Sequence, residues 1–243
     1  MVPADIVTHL GLPKHSFIPC VLMLSSIVVF HLSTTFSLLG VAIERYIAIF
    51  NPFRYQILVT RRNALITIFI TWTLSFIIGL MPVMGWNKGP TIDGSCVFEL
   101  IIDMGFRVYF IFFGCVVTPL LIMFVIYARI FMEVQRQLQK FADGGKGTAR
   151  DHQVQVMKKE IKTATSLFLV LFLFIVCCIP IQIMNCVFLF CPTCSVSLIL
   201  VSVSLVLFHA NSVVNPFLYA FRMRSFRCAF INILRCQNND TNK

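Results

Sequence analysis

The sequence predicts an all-α membrane protein, and three observations carry that prediction. The first is composition: of 243 residues, 58% are hydrophobic, only 12% are charged, and 25 are Phe. A soluble domain carries about a quarter of its residues as charges. The second is the spacing of charge. No Asp, Glu, Lys or Arg occurs between Lys14 and Glu44, between Arg62 and Lys88, or between Arg107 and Arg129. None occurs from Thr163 to Phe221 either, where Cys191-Pro192-Thr193-Cys194 divides the stretch into runs of 28 and 27 residues. A span needs roughly 20 apolar residues. It must be helical, because hydrocarbon offers no partner to an unpaired backbone N–H or C=O. Five spanning helices are therefore expected. The third observation is where the net charge of +10 lies. Lys14, Lys88 and Arg107 fall on one side of the alternating topology, and the other 17 of the 20 Lys and Arg fall on the opposite side. That is the positive-inside pattern, with the N-terminus outside and the C-terminus cytoplasmic. Basic loops facing anionic lipid heads account for the charge, so no nucleic-acid partner is expected.

The chain reads as one domain, 1–243, with spans at about 17–50, 64–85, 106–132, 160–190 and 196–221. Asn51-Pro52 stops the first, since the residue before proline leaves the helical region. The segment 137–157, with Gly144-Gly145-Lys146-Gly147, reads as a polar, mobile loop. After the last span, Phe226, Phe230, Ile231 and Leu234 recur at helical spacing among Arg222, Arg224, Arg227 and Arg235. This predicts a basic amphipathic helix over about 223–235 lying on the membrane surface, with Cys236 at its end a candidate for palmitoylation. No signal peptide is expected before the first span, and Met1-Val2-Pro3-Ala4-Asp5 resembles the end of an earlier helix.

The cysteines sort by side. Cys20 at the outer end of the first span and Cys96 in the outer 86–105 loop both reach the oxidising compartment, where disulfides persist. Bridging them would contribute ~4–5 kcal/mol in the chain-entropy model and pin the outer loop over the helix mouth. Cys191 and Cys194 read as a small structural bridge; no second ligand pair lies on that side to make a metal site. Cys115, Cys177, Cys178 and Cys186 sit in apolar runs, where cysteine packs more often than it reacts.

Glu44-Arg45-Tyr46 closes the first span. An arginine there could be a snorkelling anchor, but Glu44 is adjacent and Glu160 lies at the cytoplasmic start of the fourth span. A partly desolvated arginine must pair, and two available carboxylates allow two alternative packings. Signalling of ~1–3 kcal/mol needs such bistability. In the last span, Asn215-Pro216 removes a backbone hydrogen bond and makes a hinge, with Tyr219 one turn below. Pro119 and Pro180 punctuate two further spans, and Tyr127 lies two turns below Pro119. Glu44-Arg45-Tyr46 and Asn215-Pro216-Phe217-Leu218-Tyr219, about 170 residues apart, together resemble the core of a rhodopsin-like G-protein-coupled receptor. The fold implied is a rhodopsin-like helical bundle with five of seven helices present.

Within that class the chain resembles the adenosine receptors. The resemblance rests on Arg54-Tyr55, Leu74-Ser75-Phe76, Gly79-Leu80, Pro82, Gly85-Trp86-Asn87, Val108-Tyr109-Phe110, Pro119-Leu120-Leu121, Asn185-Cys186, Cys191-Pro192-Thr193-Cys194 and His209-Ala210-Asn211-Ser212. It covers the family's third to seventh helices, with residues 1–15 similar to the tail of the second. The resemblance implies a purine site. Phe98 would stack on adenine, a contact worth ~1–3 kcal/mol per base, and Glu99 would accept from the exocyclic amine. Asn185 would pair with the adenine edge, as Asn does in DNA recognition. Ile181 would form the floor, Leu205 the opposite wall, and His209 would lie near the ribose. Six positions depart from the pattern. Cys178 replaces the family's deep tryptophan, Gln182 a histidine, Ile111 an asparagine and Arg107 a rim methionine, while His31 and Phe208 occupy small hydroxylated positions that contact ribose. The adenine-recognising half is kept and the ribose-recognising half is altered.

The expected function is therefore purinergic signal transduction at the plasma membrane. An extracellular purine, adenosine or an analogue, would bind outside, and a heterotrimeric G protein would be the transducer inside. Membrane lipid and a second receptor copy are further partners. The alternative is a non-signalling five-helix product that associates with intact receptors or retains them in the endoplasmic reticulum, or a decayed paralogue. An enzyme is not expected, nor any cofactor or metal: apart from His31, His209 and charges at the span ends (Glu44-Arg45, Arg107, Arg129, Glu160 and Lys162), the spans carry no acidic, basic or histidine side chain from which to build a relay.

Overall fold

The computed structural model describes residues 16–222 apart from Asp93, Ser95, Val97, residues 144–147, Pro192 and Ser195. The side chains of a further group, including Glu99, residues 141–160 and residues 212–222, also lie outside the description. Among the described residues the chain is helical, with one isolated antiparallel bridge between Asn87 and Ile102. The order is α1 (Phe17–Phe50), α2 (Pro52–Leu58), α3 (Arg61–Gly79), α4 (Phe98–Ile101), a π-helical segment (Phe106–Val117) continuing into α5 (Thr118–Asp143), then α6 (Thr148–Phe190) and α7 (Leu198–Arg222). Among the described residues, four stretches are long and apolar enough to cross a membrane: Phe17–Phe50, Arg61–Gly79, Phe106–Gln137 and Thr163–Phe190. Within α7 the described side chains add an apolar stretch, Ile199–Asn211.

The chain divides into two compact units, Met1–Gln137 with Gln182–Ser195, and Leu138–Ile181 with Val196–Lys243. In the first, α1 is the central element and packs against α2, α3 and the π-helical segment. Its buried residues, from Cys20 to Ala42, include Ser25, His31, Ser33 and Thr35. For Ser33 and Thr35 this polarity is tolerated because their hydroxyls return to the helix's own carbonyls. Ser33 Oγ donates to Phe30 O at 3.0 Å and Thr35 Oγ1 to His31 O at 3.0 Å.

α3 meets α1 along a stripe of small residues, of which Ser75 and Gly79 are buried. A Cβ on Gly79 would lie 2.9 Å from the Val29 backbone nitrogen, so only glycine permits this approach. Small residues let transmembrane backbones come this close. Most of the rest of α3, including Leu65, Phe69, Leu74 and Ile77, is exposed, as a lipid-facing surface would be.

Proline and glycine set the helix ends. α1 stops at Phe50, Asn51 leaves the helical region (φ −136°, ψ 66°), and Pro52 opens α2. α3 ends at Gly79 rather than continuing to Gly85, the end read from the sequence. Pro82 has no N–H to donate to Ile78, and the chain turns instead through Met81 N–H to Ile78 O (3.3 Å) and Val83 N–H to Leu80 O (2.9 Å). Gly85, at φ +123°, completes the reversal. The expected loop over 137–157 is also largely helical: α5 reaches Asp143 and α6 starts at Thr148. Good helix formers without proline flank Gly144-Gly145-Lys146-Gly147, and the run of helix formers prevails over its polarity. Residues 1–15, the amphipathic segment 223–235 and Cys236 lie outside the described residues.

In the second unit, Ala164, Leu167, Val170, Leu171, Phe174, Cys177, Cys178 and Ile181 are buried along α6 at spacings of three and four, one helical face. On α7, Ser204, Phe208 and Asn211 are buried. α6 continues through Pro180 and α7 through Asn215-Pro216 without a break in helical assignment.

Candidate functional site

Two groups of residues stand out, at opposite ends of α1. At its C-terminal end, Arg45 Nη2 donates to Glu44 Oε1 at 2.8 Å, and the Tyr55 hydroxyl donates to the same oxygen at 3.1 Å. Tyr46 stacks on Phe50 with ring centroids 4.4 Å apart. The break at Asn51-Pro52 makes this possible, because Pro at the first position of α2 restarts the helix and presents Tyr55 eleven residues after Glu44. Tyr55 is a site residue that the motif reading missed. Its signal was a tyrosine one turn beyond a helix-restarting proline. Tyr127 is buried on α5. Glu160 lies within α6, and Asn215, Pro216 and Tyr219 lie within α7; the side chains of all four are outside the described residues.

At the N-terminal end of α1, Cys20 is joined to Cys96, with Cα atoms 5.7 Å apart. This fixes the 80–105 loop to α1. Asn87 organises the loop's first half: its Nδ2 donates to Pro82 O at 2.7 Å, and its Oδ1 accepts from Gly89 N at 2.9 Å. Lys88 N donates to Ile101 O at 2.8 Å. Trp86 packs against Phe106 and Phe110, with centroids 4.9 and 5.9 Å away. The second half carries Phe98 on α4, and the Arg107 guanidinium lies over its ring, 4.1 Å from the centroid. Tyr109 meets Phe190 edge-on at 5.9 Å, which ties the π-helical segment to the end of α6. Beyond Phe190, Cys191 is joined to Cys194.

Near that end of α6, Asn185 and Gln182 are both buried, and Asn185 Nδ2 donates to Gln182 Oε1 at 3.0 Å. One amide hydrogen is thereby committed, leaving Asn185 its carbonyl oxygen and a second hydrogen for a ligand. His31 is buried on α1. Of the pocket residues expected from sequence, His31, Phe98, Gln182 and Asn185 thus belong to the first unit. Ile181, Leu205 and His209 belong to the second: Ile181 is buried, Leu205 and His209 are half-buried, and His209 meets Phe208 edge-on at 5.9 Å. Glu99 is on α4, and its side chain lies outside the described residues.

Comparison with known proteins identifies the family. The model of the 7 transmembrane receptor (rhodopsin family) matches residues 2–219. The chain belongs to that family. Adenosine receptor A2a of Homo sapiens is 42% identical to it over 230 residues, covering 89% of this chain and 55% of the receptor. The A2a receptors of Canis lupus familiaris and Equus caballus are each 40% identical over the same length. The chain spans about half the length of these curated relatives.

Proposed function

We propose that this rhodopsin-family protein is a purine receptor of the adenosine type. It takes its ligand at the disulfide-bearing end and passes the signal to a heterotrimeric G protein at the end that carries Glu44 and Arg45. One observation supports the reading above the others. Phe98, His31, Gln182 and Asn185, drawn from three separate segments, fall in the same compact unit as the Cys20–Cys96 disulfide. An aromatic face and a buried primary amide are what a purine needs: a stacking partner and a group that both donates and accepts at the base edge. Likeness to the A2a receptors supports the same ligand class.

The opposite end supplies the switch. Glu44 holds Arg45 directly, and a G protein would compete for that arginine. Multi-pass insertion in the plasma membrane, with the basic loops cytoplasmic, follows from the charge asymmetry. Adenosine itself is expected to bind weakly, because Arg107, His31 and Gln182 change the surroundings of the sugar and of the Asn185 amide.

The test is purine binding to membranes containing the chain, with Asn185→Ala as the variant. Removing the amide deletes the base contact and strands Gln182, which should weaken binding by about 1–3 kcal/mol. Purine binding that does not respond to Asn185→Ala would remove the basis of the reading.

A further inference from the structure

The two disulfides are built differently. Cys20 and Cys96 are 2% and 1% exposed, so a thiol in solution meets their sulfurs only after the fold opens. Cys194 is exposed and Cys191 is half-buried. The bridges also differ in span, 76 residues for the first and three for the second. A bridge between near neighbours restricts the unfolded chain far less than one between distant positions. Opening the second therefore leaves the fold in place, whereas opening the first removes a long-range tie.

The second bridge sits where α6 ends. Cys191 N donates to Val187 O at 2.9 Å, and Cys194 N donates to Cys191 O at 3.0 Å. The bridge holds that turn closed, with Cα atoms 5.4 Å apart. The Thr193 hydroxyl lies 3.9 Å from Cys191 Sγ. A thiolate sulfur can only accept, so this hydroxyl is placed to donate to Cys191 once it carries charge. Phe190, next to Cys191, meets Tyr109 edge-on, and the buried Gln182–Asn185 pair lies further back on the same helix.

From this geometry we infer that Cys191–Cys194 is a thiol-exchange site, at which a low-molecular-weight thiol opens the bridge and loosens the end of α6. The attacking thiolate bonds to the exposed Cys194 Sγ. The S–S bond breaks, and its electron pair leaves on Cys191 Sγ, which Thr193 stabilises until it takes a proton from water. A second thiolate attacks the added sulfur and departs with it as the oxidised dimer, and Cys194 Sγ is protonated in turn. Two external thiols lose two electrons and the bridge gains them. The freed thiols stay three residues apart, so the oxidised dimer recloses the bridge by the reverse steps at little entropic cost. Exchange thereby controls the segment that carries the buried amide pair, and it does so whatever ligand that pair holds.

The test uses the full chain in lipid nanodiscs, with free thiols blocked by N-ethylmaleimide, titrated with reduced glutathione. Thiols released by the titration are labelled with heavy N-ethylmaleimide and assigned by peptide mapping. Cys191 and Cys194 should be labelled at about tenfold lower glutathione than Cys20 and Cys96. In a parallel unlabelled sample, amide hydrogen exchange over 183–191 should rise about tenfold once the second bridge alone is open. Oxidised glutathione should reverse that rise. Thr193→Val leaves both bridges in place and should slow the opening severalfold. Opening of both bridges together, or of Cys20–Cys96 first, overturns the inference. Exchange over 183–191 that ignores the opening overturns it too. An opening rate that Thr193→Val leaves unchanged overturns Cys194 as the attacked sulfur.

Discussion

The two ends of α1 are built in opposite ways. At the C-terminal end, Glu44, Arg45 and Tyr55 lie within eleven residues of one another and are joined by two hydrogen bonds to one carboxylate oxygen. At the N-terminal end, the assembled residues come from α1, from the loop before the π-helical segment and from the last turns of α6. They are brought together by a disulfide between positions 76 apart, by the Trp86 and Tyr109 ring contacts and by a bridge at Asn87. A local group closes at little entropic cost. A group drawn from distant segments must meet the cost of ordering the loops between them, and here covalent and aromatic ties offset it.

Breaking the long-range tie should therefore have the largest effect. Cys96→Ser removes the Cys20–Cys96 bridge and should cost about 2–5 kcal/mol of stability, read as a lowered unfolding temperature in nanodiscs. Purine binding should fall with it, while the Glu44–Arg45 pair stays formed. Gly79→Ala acts between the two ends. Its new methyl would meet the Val29 backbone, and the overpacking should cost about 1–3 kcal/mol. An unfolding temperature equal to that of the unaltered chain would show that α1 and α3 do not pack as described.

The local end should respond more weakly. Tyr55→Phe deletes one of two hydrogen bonds to Glu44 and should cost about 0.5–1.5 kcal/mol. Its readout is a raised basal rate of nucleotide exchange on a reconstituted G protein, with purine affinity unchanged. Glu44→Gln keeps the side-chain shape and removes the charge from a pair whose members are 21% and 32% exposed. Its stability cost should be at most about 1 kcal/mol, again with raised basal exchange. A loss of stability from Glu44→Gln as large as that from Cys96→Ser would erase the distinction between the two ends.

The same contrast explains what could be read from sequence. The start and end of α1 were legible because charge and proline mark them: Ser16-Phe17 opens an uncharged run and Asn51-Pro52 closes it. Glu44-Arg45 was legible because adjacent opposite charges at the end of an apolar run have few other readings. The early end of α3 was not foreseen, since one missing N–H at Pro82 outweighed an apolar stretch that continues to Met84. Nor was the helical character on either side of Gly144-Gly145-Lys146-Gly147, where polarity suggested a loop and intrinsic propensity decided otherwise. The resemblance named Phe98, Gln182 and Asn185. Only the folded structure shows the amide pair between the last two and the guanidinium over the first, because residue identity does not encode which face of a ring is covered.

The π-helical segment has a consequence for everything outside it. In an α-helix successive residues advance by about 100° around the axis; in a wider helix the step is smaller. Over the twelve residues Phe106–Val117 that difference accumulates, so the azimuth of Arg107 relative to Tyr127 depends on how much of the segment stays wide. Removing one residue between Phe112 and Val117 would let the segment tighten, and the covering of Phe98 would be lost through rotation alone, with no side chain at either end replaced.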